Sequence, residues 1–233
     1  MLSKRSSEKE QMDNFEWSGT ELDKTLNGLS TINKYLGNTS ATFKALKSEI
    51  LKINKSLKIV DLGCGGGDNL RAIADWCLVN NHPIELVGID GNPHILENAK
   101  KKSTQDHRIT YIQADILDAA FVLPKCDILI SSHFVYHFSD SELVGFLNRS
   151  QSRVASKIIF SELQRNYIPY ALFKLAGVFL PFSDHVKQDG LIAIKRAFTK
   201  AELIFILRKT NFIKYEIKRK WAFRFLIVIS VKE

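Results

Sequence analysis

Three glycines at alternate positions, Gly63, Gly65 and Gly67, follow an apolar run that ends in Asp61, and a second apolar run ends in Asp90. Glycines at this spacing let the backbone pass close beneath a ligand, where any Cβ would collide. The acid that ends the second run can accept hydrogen bonds from both hydroxyls of a ribose. This pattern predicts a site for an adenosine-containing ligand.

The residues after the loop decide which adenosine ligand fits. A dinucleotide fingerprint needs a third glycine at position 68, which is Asp68 in this chain. An anionic side chain there would compete with a pyrophosphate for the free N–H groups of the helix that follows. A P-loop is excluded because no Gly-Lys-Ser/Thr follows the glycines. The cationic end of S-adenosylmethionine is the better match.

With these motifs in this order, the sequence resembles class I S-adenosylmethionine-dependent methyltransferases. The resemblance implies that Asp90 binds the ribose, that Asp115 in the Gln113-Ala114-Asp115-Ile116 segment binds the adenine amine, and that the glycine loop holds the methionine moiety. It also implies S-adenosylhomocysteine as the product and no metal. The cofactor-binding residues it predicts are Asp61, Gly63, Cys64, Gly65, Gly67, Asp90, Gly91, Ala114, Asp115, Ile116 and Ser131.

Methylation of a phenol or alcohol also needs a group that takes the acceptor's proton. His133 and His137 directly follow the fourth predicted strand, and in class I methyltransferases this loop lies beside the transferred methyl group. The competing interpretation is that both histidines are structural and bond to backbone. We expect His137, with His133 as second choice, to be the base or to orient the acceptor.

A narrower resemblance covers almost the whole chain. The segments that carry it are 33–36, 68–71, 136–138, 162–165 and 189–198. They are similar to bacterial methyltransferases that act on phenols or quinols and often occur with type III polyketide synthases. That family typically has His-His-Phe where this chain has Tyr136-His137-Phe138. Of the family's two histidines only the second is present here, so the resemblance implies the catalytic role for His137. The resemblance implies O-methylation of a small, aromatic acceptor. C- or N-methylation, and a non-catalytic, cofactor-binding regulatory role, stay open as alternatives.

The insertion at 161–197 is predicted to cap the acceptor side, because it leaves the carboxyl end of a parallel strand. Its aromatic residues would suit an aromatic or lipid-tailed acceptor, and they could equally serve a homodimer. The candidate substrate-binding residues are Arg165, Tyr170, His185 and Asp189.

The elements that must position these residues alternate between strand and helix. Strands are predicted near 57–61, 84–89, 108–113, 127–132 and 157–160, and helices near 68–80, 93–103, 140–153 and 199–209. Two further strands, 213–218 and 222–231, predict an antiparallel hairpin at the edge. The predicted fold is therefore an α/β, Rossmann-like, doubly wound and mostly parallel sheet with an antiparallel C-terminal edge hairpin.

The first part of the chain, 1–54, is predicted to be a helical extension, with residues 8–54 largely helical, in front of a methyltransferase domain over 55–233. It could cover one sheet edge or form a partial lid over the substrate. One helix is expected from a cap at Thr20 or Ser18 to about residue 36 and another from 40 to 53, with a break at Gly37-Asn38.

Composition narrows the class of protein. The chain has 233 residues, a net charge of +8 and three cysteines without metal-ligand spacing, which predicts a compact cytoplasmic enzyme with free thiols. Its N-terminus has no apolar segment typical of a secretory signal. The cations are scattered and resemble no nucleic-acid-binding module, so no nucleic-acid partner is expected. The apolar stretch at 167–182 is too short to span a bilayer, whereas weak affinity for an anionic membrane surface stays open.

Overall fold

The computed structural model describes residues 2–35, 38–52, 55–104, 106–179 and 182–231. Its centre is a seven-stranded sheet in the order β3-β2-β1-β4-β5-β7-β6. The strands are β1 (Leu57–Leu62), β2 (Ile84–Asp90), β3 (Ile109–Gln113), β4 (Cys126–Ser132), β5 (Val154–Leu163), β6 (Tyr215–Lys220) and β7 (Arg224–Ser230). The first five strands pair in parallel, whereas β7 pairs antiparallel with β5 and with β6. The predicted fold class is confirmed.

The central strands are apolar on both faces because helices cover both sides of the sheet. Along β1, Ile59 contributes to one core cluster, while Val60 and Leu62 contribute to the other. The helices are α1 (Thr20–Tyr35), α2 (Asn38–Ile50), α3 (Asp68–Val79), α4 (Pro93–Lys102), α5 (Asp140–Ser150), α6 (Tyr167–Phe179), α7 (Asp184–Arg196) and α8 (Lys200–Arg208). The insertion at 161–197 thus folds as α6 and α7, which pack against each other.

The prediction of helix from residue 8 is wrong for the first twelve residues of that range. Helix α1 begins only at Thr20, after Gly19 with a φ of 82°. Residues 2–19, which we call the N-terminal arm, run without α-helix and contain one 3-10 turn at Gln11–Asp13. The arm is held both by local turn bonds, such as that from the Glu10 N–H to Asp13, and by bonds to distant elements, such as those from the Gln11 and Met12 N–H groups to Asp189. The predicted helix break at Gly37 and the predicted end at Ile53 lie outside the described residues.

The division of the chain at residue 54 stays a prediction. Within the described residues, no helix combines the length and the apolar character that crossing a membrane would require.

Candidate functional site

The glycine loop between β1 and α3 has the backbone that its sequence predicts. Gly63 and Gly65 have φ values of 63° and 52°, a region that side chains with a Cβ rarely adopt. A Cβ added at Gly63 would lie 2.3 Å from the ring of Phe134, so glycine is needed here for the loop after β4 to pack against the glycine loop. A Cβ at Gly65 would meet nothing within 4 Å. Gly65 therefore leaves open space for a ligand above the loop.

Two acids lie beneath and beside this loop. The Asp90 carboxylate accepts hydrogen bonds from the Gly65 N–H at 3.0 Å and the Asn92 N–H at 3.1 Å, and burial raises its pKa. Asp61 is 1% exposed, and neither of its carboxylate oxygens has a hydrogen-bond partner among the described residues. Burial, with a contribution from Asp90, raises the pKa of Asp61 to about 8. Asp61 is thus an unpartnered buried acid that holds its proton near neutral pH, and a cationic ligand bound nearby would favour its ionised form.

The wall after β3 is partly apolar. Asp115 and Ile116 line the cavity, and Asp115 accepts the Leu117 N–H at 2.9 Å. Ala114 is held by its N–H, which donates to the Asp90 carbonyl at 3.0 Å. Gly91 faces the N-terminal arm, since a Cβ there would lie 2.3 Å from the ring of Phe15.

The predicted role of Ser131 is not supported by its position. Ser131 is fully buried, and its hydroxyl donates to the Leu62 carbonyl at 2.9 Å. Because side chains alternate along a strand, the next residue, Ser132, lines the cavity instead.

One cavity of about 1070 Å³ joins the glycine loop to the loop after β4. Aromatic side chains from several elements line it: Phe15, Phe134, Tyr136, Phe138 and Phe173. Its volume lies near the upper end of small-molecule sites, which run to about 1,000 Å³, and it is continuous from the loop to the histidines. A nucleoside-containing cofactor and a small acceptor could therefore share it.

His137 lies in this cavity and is bonded to an acid that the sequence did not predict. Its Nδ1 is 2.9 Å from Oδ1 of Asp13, a residue of the N-terminal arm. Burial lowers the pKa of His137, and Asp13 opposes this effect without outweighing it. The imidazole is therefore neutral near pH 7, and its contact with Asp13 fixes the Nδ1–H tautomer.

Asp13 is held in turn by a cation from α7. The Arg196 guanidinium donates from Nη1 to Oδ2 of Asp13 at 2.6 Å. Burial raises the pKa of Asp13, but the bonds to His137 and Arg196 outweigh this and hold the pKa well below its usual range. Asp13 is thus a carboxylate that bridges an imidazole and a guanidinium.

Several further contacts dock the arm over the site. The Asp189 carboxylate accepts the N–H groups of Gln11 at 2.8 Å and Met12 at 3.3 Å. Arg5 donates to the carbonyls of Tyr136 and Phe138, at 2.6 and 2.7 Å. These bonds fix the 3-10 turn that carries Asp13 directly beside the loop after β4.

The arm also buries an acid against that loop. Glu10 accepts the Tyr136 hydroxyl at 3.2 Å, and burial raises the pKa of Glu10 to about 8 although Arg196 opposes it. Asn92, which caps α4, donates its amide to the carbonyls of Asn14 and Trp17 at 3.2 and 3.1 Å. The arm is therefore bound to both the acceptor side and the ribose side of the cavity.

His133 is engaged in a different way. Its Nε2 accepts from Nε of the buried Arg224 at 3.0 Å, and burial, followed by the Arg224 charge, lowers the pKa of His133 well below its usual range. The nitrogen that could take a proton is thus already bonded to a cation. His133, the second choice in the sequence-based prediction, is therefore poorly placed to act as the base, and His137 is the remaining candidate.

Three predicted substrate-binding residues lie outside the cavity lining. Arg165 is buried and binds Glu202 and the carbonyl of Leu2, so it is a structural cation. His185 packs on the ring of Trp17, with centroids 5.3 Å apart, and Tyr170 lies on α6. Asp189 does line the cavity, but its carboxylate is used to hold the arm.

The residues fit S-adenosylmethionine as the cofactor. Open space above Gly65, the unpartnered oxygens of the buried Asp61 and the position of Asp90 at the end of β2 match what an adenosyl ligand requires. Asp68 also lines the cavity, where it pairs with the side chain of Arg71. Across the described ranges, no group of three or more His, Cys, Asp or Glu side chains is arranged to hold a metal ion.

Comparison with known proteins agrees with this geometry. Residues 59–156 match a family model described as a methyltransferase domain. A sterol 24-C-methyltransferase of Candida albicans is 27% identical over 90 residues, which cover 37% of this chain and 23% of that protein. The chain thus spans under a quarter of this curated relative.

Solved structures share the fold at low identity. The plantazolicin methyltransferase BpumL, solved with S-adenosylhomocysteine, has a TM-score of 0.65 at 14% identity, covering 90% of this chain and 89% of that one. Magnesium protoporphyrin IX methyltransferase of Synechocystis PCC 6803, also with S-adenosylhomocysteine, has a TM-score of 0.57 at 16% identity, covering 83% of each chain. Human N-acetylserotonin methyltransferase, solved with S-adenosylmethionine, has a TM-score of 0.62 at 14% identity, covering 91% of this chain and 56% of that one.

Residues 59–156 thus match a methyltransferase domain, and the sheet has the Rossmann-like fold of the solved methyltransferases, which hold S-adenosylmethionine or S-adenosylhomocysteine.

Proposed function

We propose that this chain O-methylates a small phenolic, quinol or polyketide-derived acceptor, with His137 as the general base and Asp13 as its positioning residue. The observation that carries the proposal is the 2.9 Å contact between His137 and Asp13 inside the cavity that also contains the glycine loop. S-adenosylmethionine, when bound, supplies a methyl group on a cationic sulfur.

The protein's own contribution is proton transfer and positioning. A phenol, with a pKa near 10, is largely protonated at neutral pH, so its oxygen becomes a good nucleophile as the proton leaves. Nε2 of neutral His137 accepts that proton, while the Nδ1–H donates to Asp13. The carboxylate stabilises the imidazolium that forms, and Arg196 keeps the carboxylate ionised and oriented.

The aromatic lining supports a flat acceptor. The rings of Phe134 and Tyr136 flank His137, with centroid distances of 5.4 and 4.5 Å. Such walls favour aromatic acceptors through stacking and burial of apolar area. The acceptor oxygen would then be presented to the imidazole edge.

The decisive variant is His137→Ala, tested for S-adenosylmethionine binding by calorimetry and for turnover with a panel of phenols and quinols. We expect binding to be retained and turnover to fall by about 10²- to 10⁴-fold, the usual contribution of a general base. His107→Ala is the matched control, because His107 is exposed and does not line the cavity. Unchanged turnover in His137→Ala would refute the role of base.

C-methylation is the second candidate, and the sterol C-methyltransferase relative favours it. Attack by an electron-rich carbon does not require an oxygen base in the same position. Under this alternative, products would carry the new methyl group on carbon, which mass spectrometry and NMR of the product distinguish directly.

A further inference from the structure

Helix α6 presents an apolar outer face to solvent. Its exposed side chains share one side of the helix and include Tyr167, Ile168, Leu172, Leu175, Val178 and Phe179, with exposed fractions between 51% and 76%. Ile168, Leu172, Leu175 and Phe179 follow the i, i+4, i+7, i+11 spacing of a single stripe. Lys174, the only charged residue of the helix, is also exposed and lies at the margin of this face. A lysine at such a margin can extend its ammonium group out of an apolar layer.

The turn between β6 and β7 adds an exposed tryptophan and a cluster of cations. Trp221 is 81% exposed, and the three preceding residues, Lys218, Arg219 and Lys220, are exposed as well. Lys218 pairs with Glu216 at the surface, and the run remains basic overall. Tryptophan beside lysine and arginine is typical of the boundary between water and lipid.

These two elements are neighbours at one edge of the sheet. Gln164, at the end of β5 and shortly before α6, donates its N–H to the Phe223 carbonyl at 2.9 Å and its amide to the Arg224 carbonyl at 2.9 Å. Phe173 of α6 and Arg224 of β7 both line the cavity from the inner side. The elements that carry the apolar helix face and the basic turn thus each reach the cavity with an inward side chain, and we call the helix face and the turn together the rim surface.

We propose that the rim surface docks the protein on an anionic lipid membrane. No acidic residue occurs in 163–182 or in 217–231, and the exposed Glu216 beside the turn is paired with Lys218, so cations predominate on both parts of the surface. The net charge of +8 adds long-range attraction. An amphipathic helix that lies in the interface needs only its apolar face buried, about 5–10 Å deep.

A second copy of the chain is the weaker candidate for this face. A two-fold interface places the same patch of both copies together. The rim surface carries Lys174 and the cations of the turn without an acid in the same stretches, so two copies would oppose like charges. An anionic lipid surface would instead neutralise these cations. The position of the rim surface beside the cavity would let a lipophilic acceptor enter directly from the membrane.

Vesicle co-sedimentation of the full chain tests this proposal independently of methyl transfer. The probes are vesicles of phosphatidylcholine alone and vesicles that also contain about 30% phosphatidylglycerol, at about 0.1 M and about 1 M salt. Leu172→Glu places a charge on the α6 stripe, and Trp221→Ala removes the exposed indole. Leu78→Glu is the matched control, because Leu78 is 65% exposed on α3, outside the rim surface.

We expect wild type to bind the anionic vesicles at low salt and to bind the zwitterionic ones poorly. Leu172→Glu and Trp221→Ala should each lower binding, Leu172→Glu by about tenfold or more, with thermal unfolding close to wild type because both side chains are exposed. Leu78→Glu should bind like wild type. The proposal is overturned if wild type does not bind anionic vesicles, or if Leu78→Glu loses as much binding as Leu172→Glu. It is also overturned if light scattering shows a dimer that Leu172→Glu dissociates.

Discussion

Replacing Asp13 by Asn should change the pH dependence of catalysis and not only its rate. The Asp13 carboxylate lies 2.9 Å from Nδ1 of His137 in a mostly buried setting, where a hydrogen bond to a charged group contributes about 1.5–3 kcal/mol. Because one pKa unit corresponds to about 1.4 kcal/mol, loss of the carboxylate should lower the pKa of His137 by about one to two units. The acidic limb of kcat/KM should move down by the same amount.

The plateau rate should fall as well, because a weaker base stabilises the developing imidazolium less. The same energy predicts a loss of about 10- to 100-fold at pH 8. The assay is the kcat/KM profile of the best phenolic acceptor between pH 5 and pH 9, with S-adenosylmethionine affinity measured in parallel. Affinity for the cofactor should change little, since Asp13 lies on the acceptor side.

Asp140→Asn is the matched control for this variant. Asp140 pairs with Arg5 at 2.6 Å and so also helps to hold the arm, whereas the acid bonded to His137 is Asp13. We expect Asp140→Asn to leave the acidic limb in place. The reasoning is refuted if Asp13→Asn leaves the limb unmoved, or if both variants lose the same activity with the same profile.

Two further predictions concern the cofactor side. Asp61 keeps its proton in the folded protein up to about pH 8 but ionises near pH 4 when unfolded, so the stability of the ligand-free protein should fall as pH rises between these values. Asp61→Asn should reduce this fall without abolishing it, because the buried Glu10 and Glu162 also have pKa values raised to about 8. The variant should also unfold at a higher urea concentration than wild type at pH 8, and a fall between pH 5 and pH 8 as large as in wild type would contradict the prediction. Gly63→Ala should destabilise the fold, because its Cβ would meet Phe134. Gly65→Ala should lower the free energy of unfolding by only about 1–2 kcal/mol, because its backbone is left-handed, and should mainly weaken S-adenosylmethionine binding. Equal stability and equal affinity in the two glycine variants, measured by urea unfolding and calorimetry, would argue against this division of roles.

The sheet and the cofactor loop could be predicted because their signals are local. Asp61, the alternate glycines and Asp90 lie within thirty residues of one another, and each apolar run is long enough to mark a strand buried on both faces. The edge hairpin follows from two strand-like runs without an intervening helix. These features depend on periodicity and on backbone geometry, which a sequence expresses directly.

The acceptor side could be predicted only in part. His137 was found because it follows β4, but its partner Asp13 lies 124 positions earlier in a polar segment that was predicted as helix. Nothing in the arm's composition shows that Arg196 and His137 would hold its carboxylate. Arg165 was assigned to the substrate, although its guanidinium is used by Glu202. Long-range polar contacts of this kind leave no periodic pattern.

The aromatic residues of the predicted cap do not all face the cavity, although the sequence pattern suggested that they would. Its aromatic residues divide between the two sides of α6, so that Phe173 lines the cavity while Phe179 is 76% exposed. Aromatic composition alone could not separate a cavity wall from an outer surface. Tertiary packing against α7 makes that distinction.

The central claim is that the glycine loop and Asp90 bind S-adenosylmethionine, and isothermal titration tests it most directly. S-adenosylmethionine, S-adenosylhomocysteine and NAD are titrated into wild type and into Asp90→Ala. The account predicts that both adenosyl amino acids bind wild type, that NAD does not, and that Asp90→Ala loses affinity by at least about tenfold because the ribose hydroxyls lose their acceptor. Binding of NAD, or unchanged affinity in Asp90→Ala, would contradict it.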